Sequence, residues 1–63
     1  MLITKPKYIK FTFFNLQTTF SNILTFNNPD IVEFRDNNIL VIKEKKSAEI
    51  QKQWILYYEL EME

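Results

Sequence analysis

The chain has 63 residues with 8 basic and 8 acidic side chains, and it contains no Cys, His or Gly. A chain of this length forms one domain, here residues 1–63 with residues 1–6 as a loose N-terminal lead-in. The missing residue types exclude disulfides, the usual zinc ligands, thiol and imidazole catalysts and glycine-rich phosphate loops. We therefore expect a protein that is not an enzyme, with no cofactor and no catalytic or metal-binding residues.

The apolar content is that of a folded protein. Hydrophobic residues make up 46% of the chain and aromatic residues 16%, which is too apolar for a disordered segment. The longest apolar run, from Trp54 to Tyr58, is too short to span a bilayer, and the first residues lack the apolar segment of a signal peptide. We expect a cytoplasmic protein that does not enter the membrane.

Charge is distributed unevenly along the chain. Residues 1–29 carry three lysines and no acid, so all 8 acidic residues lie in residues 30–63. The net charge of zero argues against duplex DNA as a partner, because a DNA-binding protein needs a basic face that displaces counterions. Ile, Lys, Asn, Phe and Tyr are abundant whereas Gly, Ala, Arg and Pro are scarce, a bias typical of an AT-rich genome such as that of a phage.

Two strands are predicted in the first part of the chain. Apolar and polar side chains alternate through residues 7–14, the pattern of a half-buried strand. Residues 18–26 favour a second strand because threonine and phenylalanine have high β-propensity. Apolar residues at helical spacing leave a helix over residues 16–25 as the alternative.

A hairpin follows the turn signal Asn27-Asn28-Pro29-Asp30. Its strands are predicted over residues 31–35 and 39–44, joined by Asp36-Asn37-Asn38. A three-residue loop pairs Phe34 with Leu40 and Val32 with Ile42, so that four apolar side chains share one face. Such a loop ends on a left-handed residue, and in a chain without Gly we expect Asn38 to have a positive φ.

The last strand is predicted over residues 51–62, after a polar connection at residues 45–47. Large side chains recur at every second position here, namely Trp54, Leu56, Tyr58, Leu60 and Met62. A helix over residues 47–61 is the alternative, because Glu, Leu, Met and Gln favour helix. We expect Trp54 to be buried at the centre of the core.

These elements predict a mainly β protein: a small antiparallel sheet of four to five strands, which could curl into a small barrel. A helix at either ambiguous segment would make it α+β instead. The apolar residues expected on the core face are Ile9, Phe11, Phe13, Phe20, Leu24, Phe26, Val32, Phe34, Leu40, Ile42, Trp54, Leu56, Tyr58 and Leu60.

Five apolar residues fall on the opposite face of the predicted sheet: Ile31, Ile39, Val41, Ile55 and Tyr57. So many apolar groups on a face that would otherwise meet water indicate a second burial partner. The alternative is that the sheet curls into a barrel whose rim, or a packed N-terminal arm, covers them. With the neighbouring Lys10 and Lys43, they form the predicted partner-binding surface. The expected partner is a second copy of the chain in a homodimer, or a larger host protein.

Two further patterns allow other chemistry. Glu59, Glu61 and Glu63 alternate on the last strand and could offer oxygens to a cation, but a solvated strand face explains them more simply.

A basic and aromatic surface for single-stranded nucleic acid could be formed by Tyr8, Lys10, Lys43, Lys45, Lys46, Lys52 and Tyr57. The interspersed glutamates weaken its field, so nucleic acid is the less favoured partner.

The function that these observations favour is a small protein-binding module without enzymatic activity, of the kind found among accessory or inhibitor proteins of phages and other mobile elements. A module that binds single-stranded nucleic acid or ribonucleoprotein is one alternative. A structural subunit of a larger assembly is another.

Overall fold

Seven antiparallel strands build the protein, as seen in a computed structural model that describes residues 1–13 and 22–63. The strands are β1 (Leu2–Thr4), β2 (Tyr8–Phe13), β3 (Asn22–Asn27), β4 (Ile31–Phe34), β5 (Asn38–Lys43), β6 (Lys46–Gln51) and β7 (Ile55–Glu61), with a 3-10 turn at Lys52–Trp54 before β7.

The strands form two sheets. The four-stranded sheet has the order β1-β4-β5-β6 and the three-stranded sheet the order β3-β2-β7. The prediction of a mainly β, antiparallel protein is therefore confirmed, and the sheets do not close into a barrel. Within the described residues, no helix has the length and apolarity needed to cross a membrane.

The core lies between the two sheets. Its fully buried side chains are Ile9 and Phe11 from β2, Val32 from β4, and Ile39 and Val41 from β5, each at most 1% exposed. Around them pack the partly buried residues Ile3, Phe13, Phe26, Phe34, Ile50, Ile55 and Leu60. The alternation predicted for β2 is confirmed, because Ile9 and Phe11 both point into this layer.

The β4–β5 hairpin has a different register from the predicted one. Phe34 pairs with Ile39 and Val32 with Val41, so the predicted pairing is wrong. The Arg35 amide donates to the carbonyl of Asn38 at 2.9 Å, which leaves two residues in the loop. Asn38 lies in β5 and is not among the described residues with positive φ.

The outward face of the four-stranded sheet carries ion pairs that accommodate this register. Glu33 on β4 and Glu49 on β6 both pair with Leu40 on β5. Arg35 forms ion pairs with both carboxylates, with 3.7 Å between its Nη1 and the Glu49 Oε1. Leu40 is half-buried among these groups. A long arginine side chain covers apolar surface, so the outward face tolerates leucine where the prediction required a core position.

Two strands lie where no strand was predicted. Residues 1–6, expected to be a loose lead-in, contain β1, in which Ile3 pairs with Val32. The expected polar connection instead makes a tight turn at Glu44 and Lys45, with φ of 51° and 66°, that leads into β6. The helix alternative over residues 47–61 is wrong. The one over 16–25 is wrong for residues 22–25, which lie in β3, and otherwise falls outside the described residues, as does Phe20.

We expect Phe11→Ala and Trp54→Ala to differ sharply in their effect on stability. Phe11 is fully buried, so its truncation should cost about 3–5 kcal/mol, comparable with the whole stability of so small a domain. Trp54 is 53% exposed, and its truncation should cost about 0.5 kcal/mol. Urea denaturation of dilute protein, followed by circular dichroism, measures both. Equal losses would contradict this core.

Glycine substitutions in the two hairpins should have opposite effects on the stability of the protein. Lys45→Gly should stabilise the protein by about 1 kcal/mol, because Lys45 holds a positive φ that only Gly adopts without strain. Asn38→Gly should destabilise it by about 0.5–1 kcal/mol, because Asn38 sits in a strand without positive φ. Thermal melts of both variants test this pair, and a stabilising Asn38→Gly would contradict the observed loop.

Candidate protein interface

Strand β7 forms one edge of the three-stranded sheet. It pairs with β2 on one side, and within the described residues no strand pairs with its other side. The strand is 7 residues long, so it presents a row of backbone donors and acceptors that another strand can use. In a protein that acts alone, edge strands are normally kept short, charged or covered.

A β-bulge reshapes this edge near its start. Tyr57 pairs with Thr12 but Ile55 pairs with Phe13, so Leu56 has no partner on β2. The bulge turns Ile55 toward the core and leaves Leu56 57% exposed. Bulges of this kind commonly re-aim side chains at edges and binding sites.

Large apolar side chains cluster at the bulge. Trp54, Leu56, Tyr57 and Tyr58 are 53%, 57%, 56% and 46% exposed, and we call these four residues the β7 edge surface. Trp54 was expected at the centre of the core, and Leu56 on the core face, so both placements are wrong. The physical reason is the bulge together with the 3-10 turn, which break the period-two pattern before Tyr57.

A cavity of about 440 Å³ opens beside this surface. Its lining consists of Phe34, Ile39, Lys52, Ile55, Leu56, Tyr57 and Tyr58. The ring centroids of Phe34 and Tyr58 lie 5.3 Å apart, so the cavity lies where β7 approaches the four-stranded sheet. The Lys52 amide donates to the Asn37 carbonyl at 3.0 Å, which holds the 3-10 turn against the β4–β5 loop. The site can accept an apolar side chain.

The outer face of the three-stranded sheet carries polar pairs that flank the edge. Lys10 on β2 approaches Glu59 on β7, with 3.4 Å between its Nζ and the Oε2. Tyr8 donates a hydrogen bond to Glu61, and this bond, more than burial or the charges nearby, raises the pKa of Tyr8 above its ordinary value. Glu59 and Glu61 therefore have partners on β2 in the same chain.

The predicted partner-binding residues are not brought together. Ile39 and Val41 are core residues at 1% exposure, so their predicted outward placement is wrong, and the shifted hairpin register is the cause. Ile55 packs against the core because of the bulge, which also contradicts its predicted face. Ile31 is half-buried on the outward face of the four-stranded sheet, and Tyr57 is exposed as expected.

The predicted nucleic-acid surface is divided between the two sheets. Lys43 is half-buried at the end of β5, where it pairs with Lys46. Tyr8, Lys10 and Tyr57 belong to the three-stranded sheet instead. Lys10 and Lys43 therefore belong to different sheets. The residues described by the structure contain no cluster of His, Cys, Asp or Glu suited to a metal ion.

The sequence contained a signal for the β7 edge surface that the period-two reading missed. Residues from Trp54 to Tyr58 form five consecutive apolar positions. In a strand, neighbouring side chains point to opposite faces, so such a run must place apolar groups on both faces.

Comparison of the chain with protein families, curated proteins and solved structures found no match, so its function is argued from this geometry.

We expect Glu61→Gln to lower the pKa of Tyr8 toward the ordinary value of tyrosine. Because folding raises this pKa, the stabilisation is present at neutral pH and is lost as the pH rises through the folded-state value. Alkaline titration followed by NMR measures the shift, with Tyr8→Phe identifying the resonance. An unchanged titration in Glu61→Gln would contradict the hydrogen bond.

Proposed function

We propose that this chain is a non-enzymatic protein-binding module that acts through the β7 edge surface. The observation that carries this proposal is the combination of a seven-residue edge strand and four exposed large apolar side chains at one end of it. A protein that works alone would lose stability and solubility by leaving both exposed.

Strand addition is the binding mode that this geometry supports. In that mode, an extended segment of the partner pairs with the backbone of an edge strand and gains affinity from main-chain hydrogen bonds. Side chains of the added strand supply specificity by entering pockets beside the edge. Here the cavity lined by Leu56 and Tyr58 from β7 could accept such a side chain.

The chemistry of the cavity favours binding over catalysis. Its titratable side chains are Lys52, Tyr57 and Tyr58, with no carboxylate or imidazole among the lining residues to act as their base. Tyrosine at an exposed strand is instead typical of protein interfaces, where it anchors binding at low entropic cost. A cytoplasmic accessory or inhibitor protein of a phage would use such a surface on a host protein.

The proposal can be tested with displayed peptides. Seven-residue peptides selected on the wild-type protein should have alternating apolar side chains and should perturb the NMR signals of β7. We expect Leu56→Lys to weaken their binding by about tenfold or more, because it places a charge at the centre of the apolar contact. Methylation of alternate peptide amides should abolish binding, since it removes the donors needed for strand pairing.

Ile23→Lys provides the matched control. Ile23 is 61% exposed on β3, the other edge of the same sheet, so the substitution adds the same charge at a comparable exposure. Peptide binding should survive it. Peptides that bind equally well to Leu56→Lys would contradict the proposal, as would tight, strongly salt-dependent binding of a single-stranded oligonucleotide instead of peptides.

A further inference from the structure

We infer that the partner of the β7 edge surface is a second copy of this chain, with the two β7 strands paired antiparallel about a two-fold axis. The inference rests on the proposed function and names its partner. Pairing of this kind would join the three-stranded sheets of two protomers into one six-stranded sheet with the order β3-β2-β7-β7-β2-β3.

The first argument is the distribution of charge along the segment. Lys52 lies just before β7, whereas Glu59, Glu61 and Glu63 lie at its other end. Antiparallel pairing about a two-fold axis sets the lysine of each protomer beside the acidic end of its partner, twice per dimer. Parallel pairing would bring the acidic ends together. The charge of Glu59 is already offset by Lys10, which reduces repulsion near the axis.

The second argument is the match of exposed apolar side chains. If Tyr58 lies on the axis, Trp54 in the 3-10 turn before β7 lies near the partner's Met62, just past the end of that strand, and both residues are 53% exposed. In the same register Tyr57 lies opposite the partner's Glu59, where its hydroxyl can donate a hydrogen bond. A register centred on Glu59 would set two carboxylates directly opposite each other, which is unfavourable.

The third argument comes from the other sheet edges of the described chain. Strand β1 has only 3 residues, and β3 exposes Ile23 and Leu24 but carries no charged side chain that could orient a partner. Strand β6 is basic at its start and has no large exposed apolar residue. Among the edge strands that the structure describes, β7 alone combines length, exposed apolar area and a lysine before its start with glutamates toward its end.

Sedimentation equilibrium and Trp54 fluorescence test the inference on the intact chain. We expect a dimer at micromolar concentration, and dilution should move the emission toward that of indole in water as Trp54 becomes exposed. Leu56→Lys should raise the dimer dissociation constant by about tenfold or more. The matched variant Ile23→Lys should leave the dissociation constant unchanged, and circular dichroism should show both variants folded.

A charge exchange tests the antiparallel orientation. Lys52→Glu or Glu63→Lys alone should weaken the dimer, by up to about fivefold for an exposed ion pair. The double variant should restore the wild-type dissociation constant, because each protomer again presents opposite charges at the two ends. Loss in both single variants without restoration in the double variant would overturn the antiparallel arrangement.

The outcomes separate this inference from the proposed function. A wild-type protein that stays monomeric at high micromolar concentration, yet still binds selected peptides at β7, would overturn the second copy and leave the binding module standing. A dimer that survives Leu56→Lys but is broken by Leu40→Lys would place the interface on the outward face of the four-stranded sheet, which also overturns the inference. Loss of both dimerisation and peptide binding in Leu56→Lys supports both proposals.

Discussion

The packing of β2 against the β4–β5 hairpin is the contact on which the rest of the molecule depends. Among the described residues, Ile9 and Phe11 meet Val32, Ile39 and Val41 to form the fully buried hydrophobic cluster. Strand β2 is also the centre of its own sheet, so β3 and β7 are held in place by pairing with it. With no disulfide in the chain, the fold depends on this small layer and on the partly buried side chains packed around it.

The elements that could be predicted are those in which a single face is apolar. Strand β2 alternates cleanly, so its position and its inward face followed directly from the pattern. The hairpin strands were also located, but their register was not, because β4 and β5 are apolar on both faces. The pattern favoured an outward Val41, whereas the chain buries Val41 and leaves Leu40 half-buried on the outward face. Tertiary packing overrode the register that the apolar pattern had favoured.

The candidate interface could be predicted only in part, for a related reason. Tyr57 was expected to be exposed, and it is. The bulge at Leu56 depends on how β7 meets Thr12 and Phe13, which lie far away in the sequence, so a local pattern contains no sign of it. The remaining misses are strands with a weak apolar pattern: β1 has 3 residues, and in β6 only Ala48 and Ile50 are half-buried.

The pairing of β2 with β7 also determines the order in which the two sheets can form. Tyr8 pairs with Glu61, so the three-stranded sheet joins strands from opposite ends of the sequence, whereas β4, β5 and β6 pair through tight local turns. Closing a long loop costs conformational entropy before the contacts that it allows can stabilise the chain, and this slows folding. During folding, the β4–β5–β6 meander can therefore form before β7 pairs with β2. Strand β7 then completes the three-stranded sheet by a contact between residues far apart in the sequence, and its exposed apolar side chains are fixed in place only at that late step.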